Sequence, residues 1–355
     1  MEADRSSVIA IEDAILVAYG NALIRQGITT GERDVRRGKL GLGYKPIRSG
    51  CMPTLARVAS DPKYGIKYID LTRHQLDSEG YRLLAQHLMG NSTLRAICFN
   101  DPSSQNKFGV KSAEAWATLF ASPTCGLEDV IFRVSFIDDA CAIAMARGLK
   151  DNQSLKKLHM QKNPYGDAGV AALALSLAAH PSIQELDVGS PEPKGLPIKE
   201  AGAAALQQLL ETTSLRRLDV LGRLSGDAGV KCIAAGLSKC TTIDCLCLNG
   251  NQISDGGIEA LAQESARAAT RSPDSQHAHA CCICMYTRRV TYCDAMLAPW
   301  AALQALRTHK MMRILDLNVN AFGLEGAQHL AELIAMSQGL ERLFLSASVS
   351  RDHVS

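Results

Sequence analysis

The chain has 355 residues, 46% of them hydrophobic, which is enough to bury a sizeable core. Its 38 Lys and Arg nearly balance its 36 Asp and Glu, leaving a formal charge of +2, so bulk charge gives no reason to expect DNA, RNA or an anionic membrane as the main partner. The apolar stretch from Val8 to Ala18 is interrupted by Glu12 and Asp13, which argues against a secretory leader, and no uninterrupted run is long enough to span a bilayer.

Residues 1–63 contain no repeat and read as an N-terminal helical cap and linker. The segment SVIAIEDAILVAYGNALIRQG is expected to form an amphipathic helix, and Leu55, Val58 and Tyr64 are placed to close the first coil behind it. Between them the stretch from Gly31 to Gly50, with Arg33, Arg36, Arg37 and Lys39, reads as solvated linker.

Across residues 64–262 a pattern L-x-x-L-x-L recurs, with other apolar residues substituting for leucine. Copies start at Ile66, Leu94, Leu127, Leu155, Ile183, Leu215 and Ile243, and two more start at Met312 and Leu340. Five of the intervals are 28 residues, two are 33 and 32, and one is 69. A small residue recurs fourteen places after most starts, at Gly80, Cys141, Gly169, Gly229, Gly257 and Gly326, with Ala113 and Gly202 equivalent once loop insertions are allowed for. Apolar residues follow it at about four and eight places, as in Leu84 and Leu88 or Leu173 and Leu177, the spacing of one buried helical face. Each unit therefore predicts strand, loop, helix. Asp167, Asp227 and Asp255, two residues before the glycine, are expected to accept from the first free N–H groups of their helices. Within each strand the first, fourth and sixth positions should face the core and the residues between them the other side.

Residues 263–311 read as an inserted loop with one degenerate repeat, in which Ala278, Cys281 and Ile283 approximate the strand pattern. The same stretch holds His277, His279, Cys281, Cys282, Cys284 and Cys293, but only one C-x-x-C and no second close pair, so no metal site is expected. Residues 312–355 hold the last repeats and a tail, where the final strand LERLFLS has no helix after it to finish its coil. Of the twelve cysteines, Cys98, Cys141, Cys232, Cys245 and Cys247 fall at core or strand positions rather than in loops, which fits reduced thiols and a cytoplasmic compartment.

The strands SLKKLHMQKN, TIDCLCLNGN and MRILDLNVN resemble leucine-rich repeats, and the 28-residue length resembles the ribonuclease-inhibitor-like class. The resemblance implies an α/β fold, a right-handed horseshoe-shaped solenoid with parallel strands on the concave side and helices on the convex side. The asparagine of that family, three residues after the last core position, is matched by Asn163, Asn251 and Asn320. His74, Ser135, Pro191 and Arg223 stand in its place elsewhere, so the asparagine ladder is expected to break there.

The concave strand positions form the most systematic candidate site: Tyr68, Asp70 and Thr72; Lys157, His159 and Gln161; Glu185 and Asp187; Arg217 and Asp219; and Asp316 and Asn318. Charges of both signs alternate there, which suits recognition of another protein through many small contacts. His159 beside Lys157 invites an acid–base reading, but spacing fixes no second catalytic group near it. There is no nucleophile elbow, phosphate-binding glycine loop or zinc-protease helix, so the expectation is a non-catalytic scaffold or adaptor without a cofactor. Because this repeat class also resembles Ran GTPase-activating proteins, the alternative is a regulator of a small GTPase, acting through Arg73, Arg133 or Arg223 at the rim.

Overall fold

The computed structural model describes residues 39–41, 49–62, 65–73, 75–100, 108–190, 196–240, 242–243, 245–248 and 251, together with strands at 282–284, 314–316 and 342–344. The chain divides into two compact units, Met1–Asn163 and Pro164–Ser355. The expected helix before residue 28, and the calls on Tyr64, His74, Pro191, Asp255, Gly257, Asn318, Asn320, Gly326, His277, His279, Cys281 and Cys293, lie outside the described residues.

In the first unit strands and helices alternate: β1 (Lys39–Gly41), α1 (Met52–Ser60), β2 (Tyr68–Asp70), α2 (Ser78–His87), β3 (Ala96–Asn100), α3 (Val110–Ala121), β4 (Asp129–Arg133), α4 (Asp139–Leu149) and β5 (Lys157–His159). Each strand pairs in parallel with the next, and the register sets like positions side by side: Ile69 against Ile97, Ile97 against Val130, Val130 against Leu158. These four side chains are fully buried, as are the first and sixth positions of the same repeats to within a few per cent. The alternation of the sequence thus becomes one apolar floor under the strands. The floor continues into an aromatic cluster, where Phe99 and Phe132 stack at 5.1 Å and Trp116 meets both edge-on at 5.5 and 4.9 Å. The indole N–H of Trp116 is satisfied by the Tyr81 carbonyl at 3.1 Å.

The second unit contains α5 (Asp167–Leu177), β6 (Glu185–Asp187), α6 (Glu200–Thr212), β7 (Arg217–Asp219), α7 (Gly226–Leu237), β8 (Cys245–Cys247), β9 (Cys282–Cys284), β10 (Ile314–Asp316) and β11 (Arg342–Phe344). Strands β6 to β11 pair in parallel in sequence order, with Leu186, Leu218 and Leu246 in register and fully buried. Parallel strand–loop–helix units stacked on a common apolar register make this a leucine-rich-repeat α/β solenoid.

Two segments differ from the sequence reading. Lys39–Gly41, assigned to solvated linker, is a strand pairing in parallel with β2, and α1 follows it with Leu55 and Val58 buried. The repeat-free N-terminal segment therefore contributes a strand–helix pair of its own, which the missing leucine pattern concealed. In the degenerate repeat, β9 sets Ile283 against Leu246. Ile283 thus takes the fourth position rather than the sixth, two residues from the register expected with Cys281 in the core.

The small residue at each helix start is a packing requirement. A Cβ at Gly80 would lie 3.1 Å from Leu76 Cδ2, and one at Gly229 equally close to Leu224 Cδ2. Asp77 and Asp138, three residues before the small position, cap their own helices by accepting from Gly80 N at 2.8 Å and Cys141 N at 2.9 Å. Asp167, expected to cap its own helix, instead accepts from Lys199 N and Gly202 N, both at 2.7 Å, at the start of α6. It lies inside the first turn of α5, so its carboxylate is free to cap the next coil's helix.

Polar side chains tie the turns together. Asn163 Oδ1 accepts from Ser135 N at 2.8 Å and Ile137 N at 3.2 Å, while Nδ2 donates to the carbonyls of Phe132 and Met160 at 2.6 and 2.9 Å. Asn251 repeats the acceptor half on Arg223 N and Leu224 N. A second set of ties, three residues before the starts at Leu94, Leu155 and Ile183, was not anticipated from the sequence. There Asn91 Oδ1 accepts from Thr93 N and Leu94 N, and Asn152 Oδ1 from Ser154 N and Leu155 N. His180 occupies the same place and accepts from Ser182 N through Nδ1 at 3.3 Å, leaving Nε2 buried without a hydrogen-bond partner.

Two stability predictions follow from this packing. Gly148 in α4 lies so close to the Ala117 carbonyl of α3 that an added methyl would overlap it, so Gly148→Ala should cost about 2 kcal/mol in urea unfolding despite alanine's better helix propensity. Burial holds the His180 imidazole below its ordinary pKa of 6.5, so the unfolded chain takes up the proton first as pH falls through that value and stability is lost below it. His180→Asn, restoring the side chain found at the Asn91 and Asn152 positions, should raise the urea midpoint, and more at pH 5.5 than at pH 8. A variant no more stable than wild type at either pH would remove the ladder argument.

Candidate functional site

On the strand face opposite the apolar floor, the register gathers the predicted residues into rows. In the first unit one row runs Tyr68, Ala96, Asp129, Lys157 and the next Asp70, Cys98, Ile131, His159. Tyr68, Asp70, Asp129, Lys157, His159 and Gln161 are half-buried, with side chains packed along their neighbours. The Gln161 carbonyl accepts from Val134 N at 3.1 Å, which holds the strand exits together. At the strand entrances Glu128 pairs with Lys156 at 2.7 Å and Arg95 at 3.6 Å, an exposed ionic row worth under about 1 kcal/mol per pair.

The protonation states in this unit suit binding better than nucleophilic chemistry. Burial, with Cys98 and Asp70 nearby, holds the Tyr68 phenol far above its ordinary range, so it stays a neutral donor. Burial also raises the Cys98 and Cys125 thiols and takes Cys141 up to about 12, which keeps these sulfurs protonated and weakly nucleophilic. Cys98 Sγ lies 3.8 Å from the Thr72 hydroxyl. His159 stands in register with Ile131.

In the second unit the rows are Glu185, Arg217, Cys245, Cys282 and Asp187, Asp219, Cys247, Cys284, and Asp316 joins the latter beside Cys284. Here the structure corrects the expectation of solvent-facing charge. Asp187 is 1% exposed and Asp219 8%. The reason is a local turn: Asp187 accepts from Gly189 N at 3.0 Å and Asp219 from Leu221 N at 3.1 Å, as Asp70 does from Thr72 N at 3.0 Å. An aspartate at this strand position fastens the strand exit. Burial raises the Asp219 carboxyl above its ordinary value, against the pull of the Leu221 N–H and Arg217. Arg217 reaches Asp219 Oδ2 at 3.4 Å, Cys245 Sγ at 3.3 Å and Cys247 Sγ at 3.6 Å. Burial pulls its pKa down, but Cys247, Cys245 and the two aspartates outweigh this and leave it above the usual arginine value.

Arg223 was placed at the rim as a group able to meet a phosphoryl oxygen, and the structure overturns that placement. It is 1% exposed, donates to the carbonyls of Leu196, Val188 and Tyr165 at 2.8, 3.2 and 2.6 Å, and stacks over the Tyr165 ring at 4.9 Å. The ladder expected to break here is instead held by a guanidinium with enough donors for three loop carbonyls. Arg73 is exposed and Arg133 half-buried at the strand exits. Sequence reasoning left Asp129, Cys98, Cys245 and Cys247 out of the candidate site, although counting one place either side of the fourth core position would have found them.

With this geometry in place the relatives can be set beside it. A family model described as leucine rich repeat matches residues 151–174 and 239–262. Ribonuclease inhibitor of Sus scrofa is 26% identical over 200 residues, covering 56% of this chain and 41% of that protein. NACHT, LRR and PYD domains-containing protein 5 of Mus musculus is 24% identical over 312 residues, covering 87% of this chain and 22% of that protein. The yeast Rad7 and Elc1 complex contains a chain 12% identical, with a TM-score of 0.37, covering 100% of this chain and 93% of that one. The strand–loop–helix units, the family-model match and the similarity to ribonuclease inhibitors make this a leucine-rich-repeat protein. Within that class it is ribonuclease-inhibitor-like, by its similarity to the pig and mouse inhibitors. The chain spans about two fifths of the pig inhibitor's length and about a fifth of that of NACHT, LRR and PYD domains-containing protein 5.

Replacing Arg223 separates a structural arginine from a surface one. Arg223→Met should lower unfolding stability by about 3 kcal/mol, because three buried carbonyls lose their donors, whereas Arg73→Met should change it by less than about 0.5 kcal/mol.

Proposed function

We propose that the chain is a non-catalytic scaffold or adaptor that holds another protein against the strand face, in the cytoplasm and without a cofactor. The observation that carries this reading is the pair of registered rows of mixed charge in the first unit, where Asp70, Asp129, Lys157 and His159 stand half-buried above a closed apolar floor. Side chains held in this way lose little freedom when a partner docks. Repetition of the rows at Glu185 and Arg217 offers a second set of ionic contacts in the other unit. The relatives support the same direction, since one of them is named for inhibiting a ribonuclease. Among the described residues no helix is long and apolar enough to cross a membrane.

The candidate contacts are Tyr68, Asp70, Lys157, His159, Gln161, Glu185 and Arg217, with Asp316 and Asn318 further along the chain. Asp187 and Asp219 are turn-fastening residues whose replacement would disturb strand exits before it reached a partner. The test therefore uses Lys157→Glu with His159→Glu in one variant and Glu185→Lys in another. A partner recovered from cell extract with the intact protein should bind the first variant at least tenfold more weakly, with unchanged far-UV circular dichroism. Equal affinity for the wild type and both variants would take the binding surface off the strand face.

A further inference from the structure

We propose that Cys245 and Cys247 form a redox-active thiol pair, in which hydrogen peroxide oxidises Cys245, Cys247 closes the product to a disulfide, and Arg217 positions and charges the attacking sulfur. The inference stands apart from the protein-binding reading above, and its test uses thiol chemistry alone. The two cysteines are alternate residues of β8, so they share the strand face opposite Leu246, which is fully buried in the apolar floor. Their sulfurs are 3.9 Å apart, and neither is part of a disulfide. Cys245 is half-buried and open to a small oxidant, whereas Cys247 is 7% exposed.

The charges around the pair give each sulfur its role. Arg217 stands in register with Cys245 on the neighbouring strand and donates from Nη1 to Cys245 Sγ at 3.3 Å. A guanidinium at that distance favours the thiolate, the form that attacks a peroxide. Nη2 is shared between Asp219 Oδ2 at 3.4 Å and Cys247 Sγ at 3.6 Å, which fixes the plane of the guanidinium. Asp219 acts on Cys247 in the other direction, because the thiol donates to the carboxylate and so keeps its proton until the second step. Burial raises the Cys98, Cys125, Cys141 and Cys232 thiols above their ordinary value, and Asp70, Asp138 and Glu200 add to the rise at Cys98, Cys141 and Cys232. Those four are the slow thiols against which Cys245 is measured.

In the first step the Cys245 thiolate, its proton already lost to solvent, attacks one oxygen of the peroxide. A sulfur–oxygen bond forms, the oxygen–oxygen bond breaks, and the departing hydroxide takes up a proton and leaves as water. In the second step the Cys247 sulfur gives up its proton and attacks the sulfur of the Cys245 sulfenic acid. A sulfur–sulfur bond forms, the sulfur–oxygen bond breaks, and the hydroxide leaves with that proton as a second water. Two thiols are oxidised to one disulfide, and one peroxide is reduced to two waters. Alternate residues of a strand lie about 6.6 Å apart, near the long end of the Cα separation that a disulfide bridges, so closure puckers β8 at Leu246 and a dithiol reductant reopens the bond readily.

The reduced full-length protein is treated with hydrogen peroxide, quenched with an alkylating reagent and mapped by mass spectrometry. The expected product is a Cys245–Cys247 disulfide, with both thiols recovered by dithiothreitol. Dimedone, which traps sulfenic acids, should label Cys245 in Cys247→Ser and leave Cys247 unlabelled in Cys245→Ser. Arg217→Gln should slow the oxidation of Cys245 about tenfold, Arg217→Lys, which keeps the charge, should restore most of the rate, and Cys232→Ser should leave it unchanged. Circular dichroism checks the fold of each variant, and the map of the wild type depends on none of them. A disulfide from Cys245 to Cys240, or to any cysteine beyond residue 280, would overturn the pairing. So would a Cys245 that oxidises no faster than Cys98, or a wild-type rate in Arg217→Gln.

Discussion

Everything else in this protein depends on the parallel backbone ladder that aligns like positions of successive repeats. Because Ile69, Ile97, Val130 and Leu158 stand in register, a leucine pattern too short to bury anything by itself becomes a continuous core. The same ladder fixes the opposite face with equal strictness. A residue one place from a core position has its neighbours chosen by the register, whatever its chemistry. That is why tyrosine, aspartate and lysine form one row and aspartate, cysteine and histidine the next.

The ladder leaves the turns with backbone groups that no strand can satisfy, and the sequence meets this with several different side chains. Asn163 and Asn251 serve the strand exits, Asn91 and Asn152 the strand entrances, and Asp70, Asp187 and Asp219 the N–H groups two residues on. Where an asparagine is missing, Arg223 supplies donors from a longer side chain. The backbone at these exits also accepts strain, since Arg73, Val134 and Lys162 take left-handed conformations with φ of 62°, 54° and 57°, where the same place in the second unit has Gly222 at 65°. A β-branched valine there shows that the turn is imposed by the ladder around it rather than chosen by the local residue.

This division explains what could be read from the sequence. Repeat starts, core positions and small residues at helix entrances recur at fixed intervals, and periodicity alone finds them. Lys39–Gly41 escaped because a strand can join the ladder through backbone hydrogen bonds without the leucine pattern. Arg223 and Asp187 were placed on the surface because charge usually is, and only three-dimensional contacts reveal that carbonyls or turn N–H groups surround them. Ile283 was set at the sixth strand position rather than the fourth because a two-residue slip leaves every side chain on the same face, so alternation alone does not choose between the two registers.

Most contacts in a stacked array join adjacent coils, which would let such a chain peel under load one repeat at a time. Arg223 breaks that rule: its guanidinium holds Tyr165, 58 residues away, as well as Val188 and Leu196. Pulling on this stretch cannot free one turn without tearing the same side chain from the others. The coils that carry Tyr165, Val188 and Leu196 are therefore tied mechanically through one side chain, and load on any of them is shared by the others.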